Sequence, residues 1–257
     1  MDNLIYYKKH LDQHGFLVVK NYFSLHESKF IISTANKMEM LPEKKGKWMF
    51  FFEKNENNKR LKTRLENFIN YDDLLKSFLK TRIQPFLEKL VEDKLSLFKD
   101  KLNWKLANGS GFKAHQDHEA WSDFEPDRYF TAAFSANNST KSNGCLQFVR
   151  NCKTDEIFPY DHEGKLKNED NFDWEYVETT PRDLVIFDSF VPHRSFKNMT
   201  ENSRRIFYFT YHSSKYGNLY SDYVLKKRLA FPPDIERSLD KTFNIKNNKY
   251  NFANPIQ

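Results

Sequence analysis

The sequence places His115 and Asp117 two residues apart, and sets a further histidine, His193, far along the chain in Pro192-His193-Arg194-Ser195. In an extended strand residues i and i+2 project to one face, so an imidazole and a carboxylate at that spacing can reach one metal ion together. A distant histidine then completes the grip. Two histidines and one carboxylate on one side of a metal form a facial triad, which leaves positions open for a bidentate 2-oxo acid and dioxygen on Fe(II). Behind the second half-site stands the pair Arg204-Arg205. An arginine fork makes two parallel charge-assisted hydrogen bonds to a carboxylate, which lysine cannot match. Neighbours on a strand face opposite ways, so only one of the two can enter the interior. A zinc hydrolase fits less well, since its metal-bound water needs no cation placed for a dicarboxylate. His10, His14, His26 and His162 lack such context and read as surface or hydrogen-bonded histidines.

These residues need a scaffold. Leu4 to Leu11 reads as a short helix stopped by Gly15, ahead of the strand Phe16-Leu17-Val18-Val19. Ser24 is a candidate N-cap for a helix to about Met38, with Glu27 three residues on completing a capping box. A longer helical region is expected over Tyr71 to Val91, interrupted near Pro85. The first third, about 1–93, is therefore expected to be mostly helical. Beyond it come short strands: Leu102 to Leu106, Tyr129 to Phe134, Leu146 to Val149, Asp183 to Phe187 and Arg204 to Tyr211. The turns between them, such as Asn108-Gly109-Ser110-Gly111 and Ser142-Asn143-Gly144, favour a jelly-roll. The expectation is a mainly β protein with flanking helices (α+β) and a cupin-like double-stranded β-helix core over about 94–215. A C-terminal helix and tail follow over about 216–257, all within a single domain.

A chain of 257 residues can bury a sizeable core, and 25 Phe and 13 Tyr offset an apolar share of only 39%. The formal charge of +6 is spread among acidic neighbours, as in Lys62-Thr63-Arg64-Leu65-Glu66, and reads as a solvated surface rather than a nucleic-acid face. Cys145 and Cys152 suggest neither a disulfide framework nor a zinc ribbon. Apolar runs such as Trp48-Met49-Phe50-Phe51-Phe52 are too short to cross a bilayer, and Met1-Asp2-Asn3 begins no signal peptide. We therefore expect a cytoplasmic protein, monomer or homodimer, acting on a small molecule with no nucleic-acid or membrane partner.

Taken together, the chain resembles the phytanoyl-CoA dioxygenase family of Fe(II)- and 2-oxoglutarate-dependent oxygenases, which includes ectoine hydroxylases. The resemblance rests on His115-Gln116-Asp117, on Asn103 and Lys105 ahead of it, on Asn143-Gly144-Cys145-Leu146-Gln147-Phe148-Val149, and on Asp183-Leu184-Val185-Ile186-Phe187 leading to His193. It implies that His115, Asp117 and His193 bind Fe(II) and carry catalysis, and that Arg204, at the family's offset from His193, holds the 2-oxoglutarate co-substrate with Ser195 and Asn103. Dioxygen is then the oxidant, with succinate and carbon dioxide released and a hydroxyl placed on the substrate. Asp117 itself argues for hydroxylation, because related halogenases lack that carboxylate. Two departures stand out. Arg150-Asn151-Cys152-Lys153 replaces a Pro-Gly-Ser-His turn, and Arg182 replaces a glycine.

For the substrate, Glu119 and Trp121 stand where ectoine hydroxylases carry a Glu and a Trp, and together suit an ammonium through ion pairing and cation–π attraction. The alternative places Trp121 in the core and Glu119 as a brace for a ligand histidine. The segment from Tyr220 to Ile256 resembles the branch with 2-aminoethylphosphonate hydroxylases, and Arg128 or Arg194 would then meet an anion. A small zwitterion or amine is expected. An acyl thioester, or a non-catalytic jelly-roll binding a metal or 2-oxo acid, are the competing readings.

Overall fold

The computed structural model describes residues 2–54, 59–152, 155–162, 164–237, 248 and 250. A helix α1 (Asp2–His14) leads into strand β1 (Phe16–Val19), and α2 (Leu25–Glu39) follows. Ser24 caps α2 through both arms of the expected capping box: its side chain accepts from the Glu27 amide at 3.2 Å, and the Glu27 carboxylate accepts from the Ser24 amide at 2.8 Å. Each arm satisfies a backbone donor that the first helical turn would otherwise leave bare.

The next segment corrects the expectation of a mostly helical first third. Strands β2 (Met49–Lys54) and β3 (Arg60–Glu66) pair antiparallel there, and β3 continues onto β4 (Leu95–Lys105). Tertiary context explains the miss: Arg64 and Glu66 read as solvated charges, yet they are 2% and 0% exposed. The expected long helix is broken into α3 (Asp73–Phe78) and α4 (Gln84–Val91) by a wide turn over Leu79–Ile83. Pro85 in the first turn of α4 accounts for the break, since it cannot donate a helical hydrogen bond and crowds the carbonyl four residues before it.

The remaining strands are β5 (Phe112–His115), β6 (Tyr129–Ser135), β7 (Leu146–Val149), β8 (Trp174–Val177), β9 (Leu184–Asp188), β10 (His193–Ser195) and β11 (Arg204–Ser213), before α5 (Tyr220–Ala230). They form a seven-stranded sheet in the order β1-β9-β6-β11-β4-β3-β2 and a four-stranded sheet in the order β5-β10-β7-β8, with every named pair antiparallel. This is a jelly-roll-type core. Strands β5, β8 and β10 are not legible in the sequence because, unlike the equally short β1 and β7, their residues Phe-Lys-Ala-His, Trp-Glu-Tyr-Val and His-Arg-Ser form no apolar run. Strand β4 begins seven residues before its expected start, since its inward lysines mask the alternation.

The large sheet is apolar on both faces for different reasons. Its outer face buries Phe134, Phe207, Phe209 and Leu184 against α1 to α4. Its inner face turns Phe16, Val185, Phe187, Ile206 and Tyr208 towards Leu146, Phe148 and Val177 of the small sheet. Full burial of each such ring contributes roughly 1.5–3 kcal/mol. Side chains alternate along a strand, so this rigid inner face also fixes which members of β4 and β11 look inward. Of the expected C-terminal helix and tail, residues beyond 237 lie outside the described residues, apart from Asn248 and Tyr250. No helix among the described residues is long and apolar enough to cross a membrane.

Candidate metal centre

His115 ends β5 and His193 begins β10, and the two are direct partners across that antiparallel pair. Their rings therefore lie side by side, with centroids 4.2 Å apart and planes tilted by 49°. Asp117 lies just past the strand, as the first residue of a short 3-10 turn, with Gln116 still extended at φ −111°, ψ 129°. The two-residue relation between His115 and Asp117 thus survives although the strand does not. Gln116 is itself fully buried, and its side-chain amide donates to the carbonyls of Glu156 and Phe190 while its oxygen accepts from the Phe158 amide. Those bonds anchor the link between the two acidic and imidazole donors.

One donor atom from each of His115, Asp117 and His193 lies within 4.8 Å of the others. His115 Nε2 is 3.6 Å from Asp117 Oδ1, and His193 Nε2 is 3.9 Å from Asp117 Oδ2. The other ring nitrogen of each histidine is occupied: His115 Nδ1 donates to Lys113 O at 2.7 Å and His193 Nδ1 to Val191 O at 3.1 Å. A carbonyl can only accept, so each neutral ring carries its proton on Nδ1 and turns the Nε2 lone pair inward. Burial, and then the neighbouring His115, pull His193 down to about 3, which keeps its ring neutral. Burial alone would raise the Asp117 carboxyl, but the close approach of the His115 and His193 rings and the Lys101 ammonium hold it far below the usual carboxylate range. Two imidazole Nε2 atoms and one carboxylate facing a common point fit a divalent metal.

Beside this point the cleft is walled by Asn103, Ser195, Tyr208, Phe112 and Leu146. Arg204 lies behind Tyr208, to whose hydroxyl it is hydrogen-bonded. It is buried, its Nε has no partner, and no carboxylate among the described residues pairs with it. Asn103 Oδ1 is likewise buried and unpartnered. Arg205 points the other way, donating to Asn137 Oδ1 at 2.9 Å, Asn36 Oδ1 at 2.6 Å and Glu39 Oε2 at 3.2 Å beneath α2. A buried cation with an open donor suits a dicarboxylate such as 2-oxoglutarate, since orphaned buried charge is costly.

Lys105, which the sequence marked only by resemblance, braces this region. Its ammonium donates to Ser195 Oγ at 2.7 Å, to Gly144 O at 3.2 Å and to Phe196 O. Burial, and then Arg204, bring it down to about 6. The strands close in because Gly144, at φ +72°, leaves room: a Cβ there would sit 2.2 Å from Phe196 O. Gly111 plays the same part for Ser195, whose carbonyl would be 2.4 Å from an added Cβ. Cys145 and Cys152 are both free thiols.

The expected substrate residues separate into two groups. Trp121 and Arg194 line the cleft, whereas Glu119 and Arg128 are not among its walls. Trp121 is also core, packed edge-on to Phe98 and Tyr129 at 5.5 and 4.9 Å. Arg194 stacks on Trp174 at 4.1 Å and pairs with Glu169 at 3.5 Å. Arg128 is held by Asp155 and Asp188 and stacks on Phe190. Sequence reasoning missed Arg64, Lys99 and Lys101 on the same cleft wall, together with Tyr223 of α5 and Tyr250. Their one signal was the every-second-residue run Lys99, Lys101, Asn103, Lys105, which reads equally well as a wet strand face.

Comparison with known proteins agrees with this geometry. Residues 11–206 match the family model described as phytanoyl-CoA dioxygenase (PhyH). The chain is 34% identical over 247 residues to a 2-aminoethylphosphonate dioxygenase from an uncultured bacterium (HF130_AEPn_1), covering 95% of this chain and 94% of that one. It is 28% identical over 223 residues to a methylphosphonate hydroxylase of Gimesia maris, covering 86% and 85%. In fold it is similar to EctD from S. alaskensis with 2-oxoglutarate and 5-hydroxyectoine, at a TM-score of 0.67, 16% identity and coverage of 81% and 75%. It is also similar to the α-ketoglutarate-dependent epimerase SnoN from nogalamycin biosynthesis, at 0.68, 15% identity, and 83% and 84%.

Proposed function

Since the chain belongs to the phytanoyl-CoA dioxygenase family, we propose that this iron- and 2-oxoglutarate-dependent oxygenase hydroxylates a small aminophosphonate-like substrate, with iron held by His115, Asp117 and His193. The observation that carries the metal assignment is the pair of fixed tautomers: both imidazoles spend Nδ1 on a carbonyl and aim Nε2 at the Asp117 carboxylate. Asp117 stays ionised and supplies the only acidic side chain on the described cleft wall.

When bound, iron and 2-oxoglutarate supply the oxidising chemistry, consuming dioxygen and yielding succinate, carbon dioxide and a hydroxylated product. The remaining work belongs to the side chains. Arg204 receives the far carboxylate of 2-oxoglutarate through its open donor. Ser195 Oγ already accepts from Lys105, so its own proton is directed outward to the same carboxylate. Asn103 completes that binding wall. Trp121 and Arg194 bound the substrate side, on whose described wall Glu119 and Arg128 do not stand. Two relatives act, by their names, on phosphonates, and a long acyl chain would have to lie against Arg64, Lys99 and Lys101.

Succinate release is measured in air with Fe(II), 2-oxoglutarate and, in turn, 2-aminoethylphosphonate, methylphosphonate, ectoine and an acyl thioester. Stimulation by a phosphonate supports the reading. Stimulation by the thioester alone overturns the substrate class.

A further inference from the structure

Three cations on one wall of the cleft stay unexplained by iron or by 2-oxoglutarate. Lys99 and Lys101 alternate along β4 on the face that carries Asn103, and Arg64 of β3 sits directly across from Asn103. Neither lysine has an ion-pair or hydrogen-bond partner among the described residues; what they meet is aromatic. Lys99 Nζ lies 5.5 Å from the Trp121 ring centre and 5.4 Å from that of Tyr223, and Lys101 Nζ lies 4.4 Å from that of Tyr208. Arg64 is 3.5 Å from Glu66, and Glu66 is in turn bonded by Lys227 of α5 at 2.6 Å and by the Tyr223 hydroxyl at 3.1 Å. Glu66 is thus shared among several cations, and Glu53, the other acid near Arg64, is pushed up by burial.

Lys99 and Lys101, half-buried and without an ion-pair partner among the described residues, are costly to hold charged, because water is partly stripped and no direct ion pair replaces it. Such a surplus is stable when a ligand supplies the counter-charge. Asp117 is the one acid on the described wall, and it is taken by the metal in the reading above. No second carboxylate there is available for an ammonium.

We infer that Lys99 and Lys101, supported by Arg64, bind the doubly charged phosphonate head of the substrate, and that recognition depends on this head rather than on the amine. This rests on the reaction proposed above and names the part of the substrate that the cleft selects. The described cleft wall offers the other end of the substrate no acidic partner besides Asp117. A tetrahedral dianion can receive both ammonium groups at once, whereas a sulfonate brings one charge to the same place.

The test is a set of anaerobic titrations of the protein loaded with Fe(II) and 2-oxoglutarate, reading Kd from the visible metal absorption and from calorimetry. The ligands are 2-aminoethylphosphonate, ethylphosphonate, which lacks the amine, and taurine, the sulfonate analogue. Ethylphosphonate is expected to bind within about tenfold of the aminophosphonate, and taurine at least about tenfold more weakly. Lys101→Met and Lys99→Met are each expected to weaken both phosphonates by about tenfold or more and to erase most of the phosphonate-over-sulfonate ratio. Lys101→Arg keeps the ratio. A loss of packing alone would weaken all three ligands alike and leave the ratio standing. Taurine binding as tightly as the phosphonates, an unchanged ratio in both methionine variants, or no binding of ethylphosphonate would each overturn the inference. Should the protein take up neither iron nor 2-oxoglutarate, the reaction reading fails, while calorimetry of phosphonate on the metal-free protein still decides the role of the lysines.

Discussion

Replacing Arg204 and Arg205 one at a time separates the co-substrate site from the scaffold, because adjacent side chains on β11 serve opposite faces. Arg204 is buried with its Nε open, and a carboxylate seated on its fork would gain two charge-assisted bonds worth about 1.5–3 kcal/mol each. Losing the pair in Arg204→Ala should therefore cost about 3 kcal/mol or more, which is about a hundredfold in Kd for 2-oxoglutarate at 1.4 kcal/mol per decade. Arg204→Lys keeps the charge but not the fork, so a loss nearer tenfold is expected at roughly half that energy. Arg205 instead ties β11 to Asn36 and Glu39 of α2 and to Asn137. Arg205→Ala should lower stability by about 1–3 kcal/mol and leave 2-oxoglutarate affinity within about twofold. Calorimetric titration of 2-oxoglutarate into each metal-loaded variant, beside urea melts, reads both quantities. A larger loss of affinity in Arg205→Ala than in Arg204→Ala would refute the inward assignment.

Three further outcomes are expected. Lys227→Met leaves Glu66 buried without its nearest cation and should cost about 3–5 kcal/mol in urea unfolding, with α5 and its Tyr223 loosened from the cleft; an unchanged midpoint would show that this pair does not hold α5. Asp183 accepts from the backbone amides of Asn21 and Thr180 at 2.9 and 2.8 Å. Burial alone would raise its carboxyl, but those amides and Lys20 leave it lowered. Its stabilisation is then complete above the unfolded value of about 3.9 and is lost as pH falls through the lower folded value. Asp183→Asn should cost about 1–3 kcal/mol at neutral pH and flatten that acid limb, as followed by circular dichroism. Gly144→Ala forces a Cβ onto Phe196 O and should displace the Lys105 and Ser195 brace, weakening 2-oxoglutarate binding in the same calorimetric titration.

Much of the centre was legible because it obeys local periodicity. His115 and Asp117 could be paired from a two-residue spacing, and Ser24 with Glu27 announced α2 before any tertiary contact was considered. His193 could be proposed as the third donor but not placed, since nothing local says that β10 will lie across from β5. The registers of β10 on β5 and of β11 on β4 are long-range facts, and they decide both the side-by-side placement of the imidazoles and the inward turn of Arg204. The least legible part was β3 with β4. Lys99, Lys101, Arg64 and Glu66 carry the residue types of a solvated face, and only the closing of α5 over them turns that pattern into a cleft wall. The same ambiguity made β2 and β3 read as part of a helical region. Trp121 shows a different limit, for it is packed in the core and lines the cleft at once, so neither of its two readings excludes the other.

Anaerobic addition of Fe(II) and 2-oxoglutarate to the protein, followed by visible absorption and metal analysis, tests the proposed centre most directly. One iron per chain is expected, with an absorption band that needs both additions and that disappears, along with the bound iron, in His115→Ala, Asp117→Ala and His193→Ala. A band of undiminished strength in any of the three variants would contradict the assignment of those side chains as the iron's ligands.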